Sequence, residues 1–244
     1  MNVTELTREA RNGIAEAQYA LGLFCENGLG TPVDKVEAEM WFRKAAEQGF
    51  AAAQYALARM CEQRPAEEER YREAVDWLRK AAKSDFRPAQ LHLGLRLTHG
   101  VTLPQNTEEG LRWILEAAEG DYAPAAGYLG FLYREGRGVT VDLDKAYYWY
   151  RRAAELGDPD AANAVGGCFE SGHGVAKDEA QALAWYLRAA KEGSAWGHSA
   201  LARVYGFGTL GETVDCERAK AHREEFLRLL EARRQRSDLD ELPQ

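Results

Sequence analysis

Hydrophobic positions recur along the chain with a long period. Trp41, Trp77, Trp113, Trp149 and Trp185 stand thirty-six residues apart. The pairs Ala45-Ala46, Ala81-Ala82, Ala117-Ala118, Ala153-Ala154 and Ala189-Ala190 follow them by four, and Leu21, Leu57, Leu93, Leu129, Val165 and Leu201 keep the same interval. A period of this size, held without insertions through most of the chain, marks a repeat array in which each unit buries its apolar face against the next.

Inside one unit, Tyr122 to Gly157, the pattern spells two helices. Ala125, Leu129, Leu132 and Tyr133 fall at i, i+4, i+7 and i+8, along one face of a first helix, A. Gly136-Arg-Gly138 interrupts it, and Asp142 offers a side-chain oxygen to the free N–H groups of a second helix, B. Ala146, Trp149, Tyr150, Ala153 and Ala154 form the stripe of helix B, and Gly157 supplies a stop that needs a positive φ. Small residues at Gly22, Ala58, Gly94, Gly130, Gly166 and Ala202 allow helices to approach to about 8–10 Å. The spacing predicts that each tryptophan fills the wedge between successive pairs, so that truncating one to alanine costs about 3–5 kcal/mol.

The architecture expected is all-α, an α/α solenoid of about six 36-residue helix–turn–helix units, near 15–49, 50–85, 86–120, 121–157, 158–193 and 194–230. Leu6, Ala10 and Gly13 match Phe42, Ala46 and Gly49 at minus thirty-six, so residues 1–14 read as an N-terminal capping helix. After Gly208 one residue is inserted, and Asp215, Ala219 and His222 take the slots of Asp178, Ala182 and Trp185 at thirty-seven. Residues 231–244 read as a polar C-terminal tail, frayed from Ser237. The second copy has Arg64-Pro65 and a glutamate run in place of the glycine loop.

The recurring signature is best displayed by Ala125 to Gly157, within APAAGYLGFLYREGRGVTVDLDKAYYWYRRAAELG. It resembles the Sel1-like repeat family, a relative of the tetratricopeptide repeats, over residues 15 to about 230. The resemblance implies a right-handed α/α superhelix that acts as an adaptor in bacterial signalling, envelope assembly, virulence or immunity against delivered toxins. Secreted members of that family pair cysteines within a repeat. No copy here holds two cysteines at helix A and helix B positions, which points to a reducing compartment.

Composition narrows the function classes. Hydrophobic residues make up 45% and charged residues 29% of the 244, as in an ordinary globular protein. A net charge of −8 argues against a general phosphate-binding surface and so against nucleic acid. Arg233, Arg234 and Arg236 form a small basic patch closely followed by acids, which reads as a solvated helix end. No apolar run approaches the roughly 20 residues needed to span a bilayer. The opening MNVTELTREARNG lacks a basic start and an apolar stretch, so no membrane insertion and a cytoplasmic location are expected.

Candidate chemistry is sparse. Gly206-Phe-Gly208-Thr-Leu-Gly211 spells G-x-G-x-x-G, but a dinucleotide fingerprint needs a preceding strand, and Gly208 keeps the loop register of Gly28, Gly100, Gly136 and Gly172. Cys25, Cys61, Cys168 and Cys216 show no C-x-x-C spacing, and His92, His99, His173, His198 and His222 give no i, i+4 pair, so no metal or other cofactor is expected. Cys25 and Cys61 share one repeat position, where Tyr133 and Tyr205 stand in other copies, and read as small apolar fillers. Glu67 to Glu69 and the acids near helix B starts fit solvation and the helix dipole.

What remains is the inner surface that helix A lines in related solenoids. Positions turned away from Ala17, Leu21 and Phe24 supply Tyr19, Leu23, Tyr55, Arg59, Leu91, Leu95, His99, Tyr128, Phe131, Arg134, Arg203 and Phe207. Aromatic residues and arginine anchor interfaces, so these twelve are the expected protein- or peptide-binding residues in a concave groove. The competing reading has Tyr19, Tyr55 and Leu91 pack partly between layers. A non-enzymatic bacterial adaptor is the expected function. One alternative is an immunity protein that blocks a toxin or effector. A more distant one is β-lactam hydrolysis, described for some cysteine-rich relatives, although no Ser-x-x-Lys with supporting motifs occurs here.

Overall fold

The computed structural model describes residues 3–30, 32–62, 68–100 and 103–241. Among them stand thirteen α-helices and no strand. Helix α1 (Val3–Arg11) precedes six pairs: α2 (Ala15–Asn27) with α3 (Lys35–Glu47), α4 (Ala51–Glu62) with α5 (Glu68–Lys83), and α6 (Arg87–His99) with α7 (Thr107–Glu119). The sequence continues with α8 (Ala123–Glu135) and α9 (Leu143–Glu155), α10 (Pro159–Ser171) and α11 (Glu179–Lys191), then α12 (Ala195–Phe207) and α13 (Cys216–Glu241). Even numbers are helix A and odd numbers helix B of a helical repeat solenoid. Two compact units divide the chain, residues 1–120 and 121–244. Helix α13 carries helical backbone as far as Glu241, through the stretch expected as a tail. Arg64, Pro65 and Glu67 of the second copy's turn lie outside the described residues.

Local chemistry makes the pairs. Gly28, Gly100, Gly136, Gly172 and Gly208 end the A helices in the left-handed conformation, each N–H returning to a carbonyl four residues back. Asp34, Asn106, Asp142, Asp178 and Asp215 then accept backbone N–H bonds at the starts of the B helices. The cap N–H closes the loop onto the carbonyl nine residues back, Asp142 N to Tyr133 O at 3.0 Å for example. In the sixth pair Asp215 N reaches Tyr205 O at 2.8 Å, ten residues back, so the inserted residue is absorbed in the loop and both helices keep their faces.

Packing corrects one expectation. The residue that enters the notch is the one after each tryptophan. A Cβ built on Gly22 would stand 2.6 Å from Phe42, one on Gly94 2.5 Å from Ile114, one on Gly130 2.6 Å from Tyr150 and one on Gly166 2.7 Å from Tyr186. Such distances lie well inside van der Waals contact, so glycine is what lets these rings and branches seat. The tryptophans lie beside these knobs, roofed by cations: Lys44 is 4.3 Å from the Trp41 ring, Lys80 3.8 Å from Trp77, Arg152 5.6 Å from Trp149 and Arg188 4.9 Å from Trp185. Trp41, Trp77 and Trp149 are buried, while Trp113 and Trp185 are half-buried and Trp196, outside the register, is exposed. All five alanine pairs are buried.

Three buried glutamines tie layers together in the first unit. Gln18, Gln54 and Gln90, again thirty-six apart, each donate Nε2 to a carbonyl eight residues back: Ala10 O at 3.1 Å, Ala46 O at 3.2 Å and Ala82 O at 3.2 Å. Each bond adds a side-chain donor to a carbonyl that the turn N–H of Gly13, Gly49 or Asp85 already reaches, and so ties the next A helix to the end of the preceding B helix.

Candidate protein-interaction surface

All twelve expected binding residues lie on A helices. Arg59, His99, Arg134, Arg203 and Phe207 are exposed, and Tyr19, Leu23, Tyr55, Leu91, Leu95, Tyr128 and Phe131 are half-buried. In the first unit Tyr19 packs on Phe42 and Phe50, with ring centroids 5.7 and 5.3 Å away, and Tyr55 packs on Phe86 at 5.4 Å and edge-on to His92 at 5.8 Å. These tyrosines are therefore shared between interlayer packing and the surface. Beside them sits a charged cluster that the sequence did not announce. Glu62 and Arg96 pair at 2.8 Å with little solvent exposure, and Arg96 Nε donates to His92 Nε2 at 3.0 Å. Accepting there leaves the neutral imidazole its proton on Nδ1. Burial, helped by the neighbouring Arg96 and Arg59 charges, pushes His92 down to about 4, and burial raises Glu62 against the pull of Arg96 and Arg59.

In the second unit the α8 residues form one aromatic–cationic group. Tyr128 and Phe131 lie 6.0 Å apart, and the guanidinium groups of Arg134 and Arg137 sit 5.7 and 5.1 Å from the Phe131 ring. Arg134 also pairs with Glu135 at 2.8 Å and borders a cleft of about 300 Å³ reaching Asn163, Gly167, Ser171 and His173 of the next pair. On α12, Arg203 is held by Glu170 of α10 through two bonds, 2.8 and 2.6 Å, and Tyr186 donates to the same carboxylate at 2.6 Å. Phe207, at 76% exposure, projects freely. Arg137 and His173 escaped the sequence reading because they lie outside the six helical positions chosen from the repeat; Asn163 occupies one of those positions but is neither aromatic nor arginine.

The arrangement offers contact area and charge. Among the described residues no group of three or more His, Cys, Asp or Glu side chains is placed to hold a metal ion. Cys25, Cys61 and Cys168 are buried, with burial pushing the Cys61 and Cys168 thiols up to about 11, which leaves them protonated at neutral pH. Gly206 lies in α12 and Gly208 is its left-handed cap, so G-x-G-x-x-G here follows a helix. Arg233 pairs with Asp160 at 3.6 Å. Among the described residues no helix is long and apolar enough to cross a membrane.

Comparison with known proteins places this geometry. The Sel1 repeat family matches five consecutive segments, residues 15–50, 51–86, 87–122, 123–158 and 159–194. The α12–α13 pair falls beyond these matches, in keeping with its inserted residue and its lack of an in-register tryptophan. A protective antigen of uropathogenic Escherichia coli with the same repeat fold is 33% identical over 93% of this chain and 49% of its own, with a TM-score of 0.79. A Sel1 repeat protein from Oxalobacter formigenes is 31% identical over 88% of this chain and 85% of its own, with a TM-score of 0.76. An immunity protein from Pseudomonas aeruginosa shares the fold at a TM-score of 0.56 and 23% identity, covering 78% of this chain and 73% of its own. A chitin synthase regulator from Malassezia restricta is 55% identical over 40 residues, which are 16% of this chain and 3% of that protein.

Proposed function

The chain belongs to the Sel1 repeat family, whose members are generally protein-interaction modules and typically non-enzymatic scaffolds, and we propose that it is an adaptor that binds a peptide segment or domain of a partner protein on its A-helix surface. The observation that carries this reading is the α8 group. Tyr128 and Phe131 remain half-exposed on a rigid helix, flanked by Arg134 and Arg137, in a protein whose other large rings are mostly drawn into interlayer contacts. Aromatic side chains bury much area with few rotatable bonds, and arginine presents a planar fork of donors that also stacks on rings, which is why both are enriched at interface hot spots. A bacterial, cytoplasmic setting with reduced cysteines accompanies the proposal. The likeness to an immunity protein, at 23% identity, is one of fold and does not favour that narrower role.

Affinity capture from cell extract tests it. Bait carrying Tyr128→Ala and Phe131→Ala should lose specific partners that the unaltered chain retains, with circular dichroism unchanged. Equal recovery by both baits would move the site off α8.

A further inference from the structure

The repeat register identifies what the side of the α12–α13 pair is shaped to hold. Within the second unit each A helix packs on the preceding pair through fixed slots. Tyr147 of α9 meets Phe169 of α10 with centroids 5.7 Å apart, Glu170 of α10 grips Arg203 of α12, and Ala189 and Ala190 of α11 lie against Gly197 of α12. Carried forward, the slots of Glu170 (by thirty-six), Tyr186, Ala189 and Ala190 (by thirty-seven) and Tyr147 (by seventy-three, two pairs on) become Gly206, Arg223, Phe226, Leu227 and Lys220. All five line one groove of about 650 Å³ between α12 and α13, together with Arg203, Phe207 and the small residues Ser199, Ala202 and Ala219. Among the described residues no helix follows to occupy it.

The groove's chemistry differs from the slots it repeats. The knob position holds Phe42, Leu78, Ile114, Tyr150 and Tyr186, all buried, and then an exposed Arg223. The alanine pair becomes Phe226-Leu227, with Leu227 57% exposed. Lys220 stands where Tyr147 and Leu183 stood. Among the described residues neither Lys220 nor Arg223 has a carboxylate partner, and none of those lining the groove is an acid. In a chain of net charge −8 this is a local positive, apolar-floored trough.

We infer that this groove docks an acidic amphipathic helix of a partner protein, seated as the next A helix would be, with its carboxylates on Lys220 and Arg223 and its apolar face on Phe207, Phe226 and Leu227. The inference rests on the protein-binding reading above and names the partner chemistry at this end of the surface. Helix-in-groove recognition supplies the apolar anchors, and complementary charge sets which helix is accepted.

A test uses the full chain and a synthetic amphipathic helical peptide with alanine and leucine on one face bordered by glutamates, against an isomer with lysine in place of glutamate. Cys216 lines the groove and is exposed, while the other three cysteines are buried, so its alkylation by N-ethylmaleimide reports occupancy. The glutamate peptide should bind about tenfold tighter than its lysine isomer and slow Cys216 alkylation, and the Lys220→Glu, Arg223→Glu double variant should reverse the preference. Equal binding of both peptides, no binding, or unprotected Cys216 overturns the inference. So does a chain that dimerises with Cys216 protected in the absence of peptide, which would make a second copy the occupant. If partner capture through Tyr128 and Phe131 persists while the peptide results fail, only the groove assignment falls; loss of both removes the protein-binding reading as well.

Discussion

Substituting Gly130→Ala should destabilise the protein even though alanine is the better helix residue. Removing a mid-helix glycine gains about 1 kcal/mol. Against this, the new Cβ would stand 2.6 Å from Cδ1 of Tyr150, whose side chain is buried at 5% exposure. Ordinary contact requires about 3.5–4.0 Å, so the ring or the helix must retreat by roughly 1 Å in a close-packed interior. Overpacking of this kind costs about 1–3 kcal/mol, which leaves a net loss of up to about 2 kcal/mol. The protein contains its own control, because the second repeat holds Ala58 and Leu78 in the same two slots, both fully buried. Tyr150→Leu in the Gly130→Ala background should therefore recover much of the loss. Urea unfolding of the four proteins of this double-mutant cycle gives the coupling, expected at about 1–2 kcal/mol. A Gly130→Ala protein more stable than the parent, or a cycle that is additive, would refute the notch.

Other outcomes follow from particular residues. His92 is held near 4 against about 6.5 unfolded, so between those values the unfolded chain takes up a proton that the folded chain refuses; stability should fall as pH drops through that window, by up to about 3 kcal/mol, and His92→Leu should flatten the fall in pH-dependent urea midpoints. Gln54→Leu removes the side-chain bond to the Ala46 carbonyl, which keeps the Gly49 N–H, and should cost about 0.5–1.5 kcal/mol by the same assay, whereas a neutral result would deny the interlayer tie. Asp85 holds a left-handed φ of 58° in the slot that Gly49 and Gly157 fill elsewhere, so Asp85→Gly should raise the thermal midpoint, relieving strain of up to about 1 kcal/mol; a lower midpoint would show that its side-chain contacts matter more. Cys25 and Cys61 should titrate as free thiols in denaturant without reductant, and mass spectrometry finding them bridged would contradict the packing role.

The periodic pattern carried most of the fold because helix starts and stops depend on local chemistry. Asp142 and Gly136 announce a cap and a turn to any reader of their neighbours. The knob was harder, since tryptophan and the residue after it lie on adjacent parts of one stripe, and only the approach to Gly130 shows which enters the notch. The glutamine ties were hidden for a different reason. A polar residue on an apolar face reads as an interruption, although the recurrence of Gln18, Gln54 and Gln90 at thirty-six was there to be noticed. Among the proposed binding residues, composition singled out Tyr128 and Phe131. It could not separate them from Tyr19 and Tyr55, whose rings turn partly into interlayer contacts. Lys220 and Arg223 lie on a B helix, outside the A-helix positions from which the candidate surface was drawn.

The central claim, partner binding through the A-helix surface, is tested most directly by titration calorimetry of a captured partner against two sets of alanine variants. Substitutions at Tyr55, Arg59, Leu95 and Phe131 should each weaken binding by about 1–4 kcal/mol, and those at Lys44, Lys80 and Arg152 on helix B by less than about 0.5 kcal/mol, with helicity unchanged throughout. Unaltered affinity in the first set beside losses in the second would contradict the account and place recognition on the B helices.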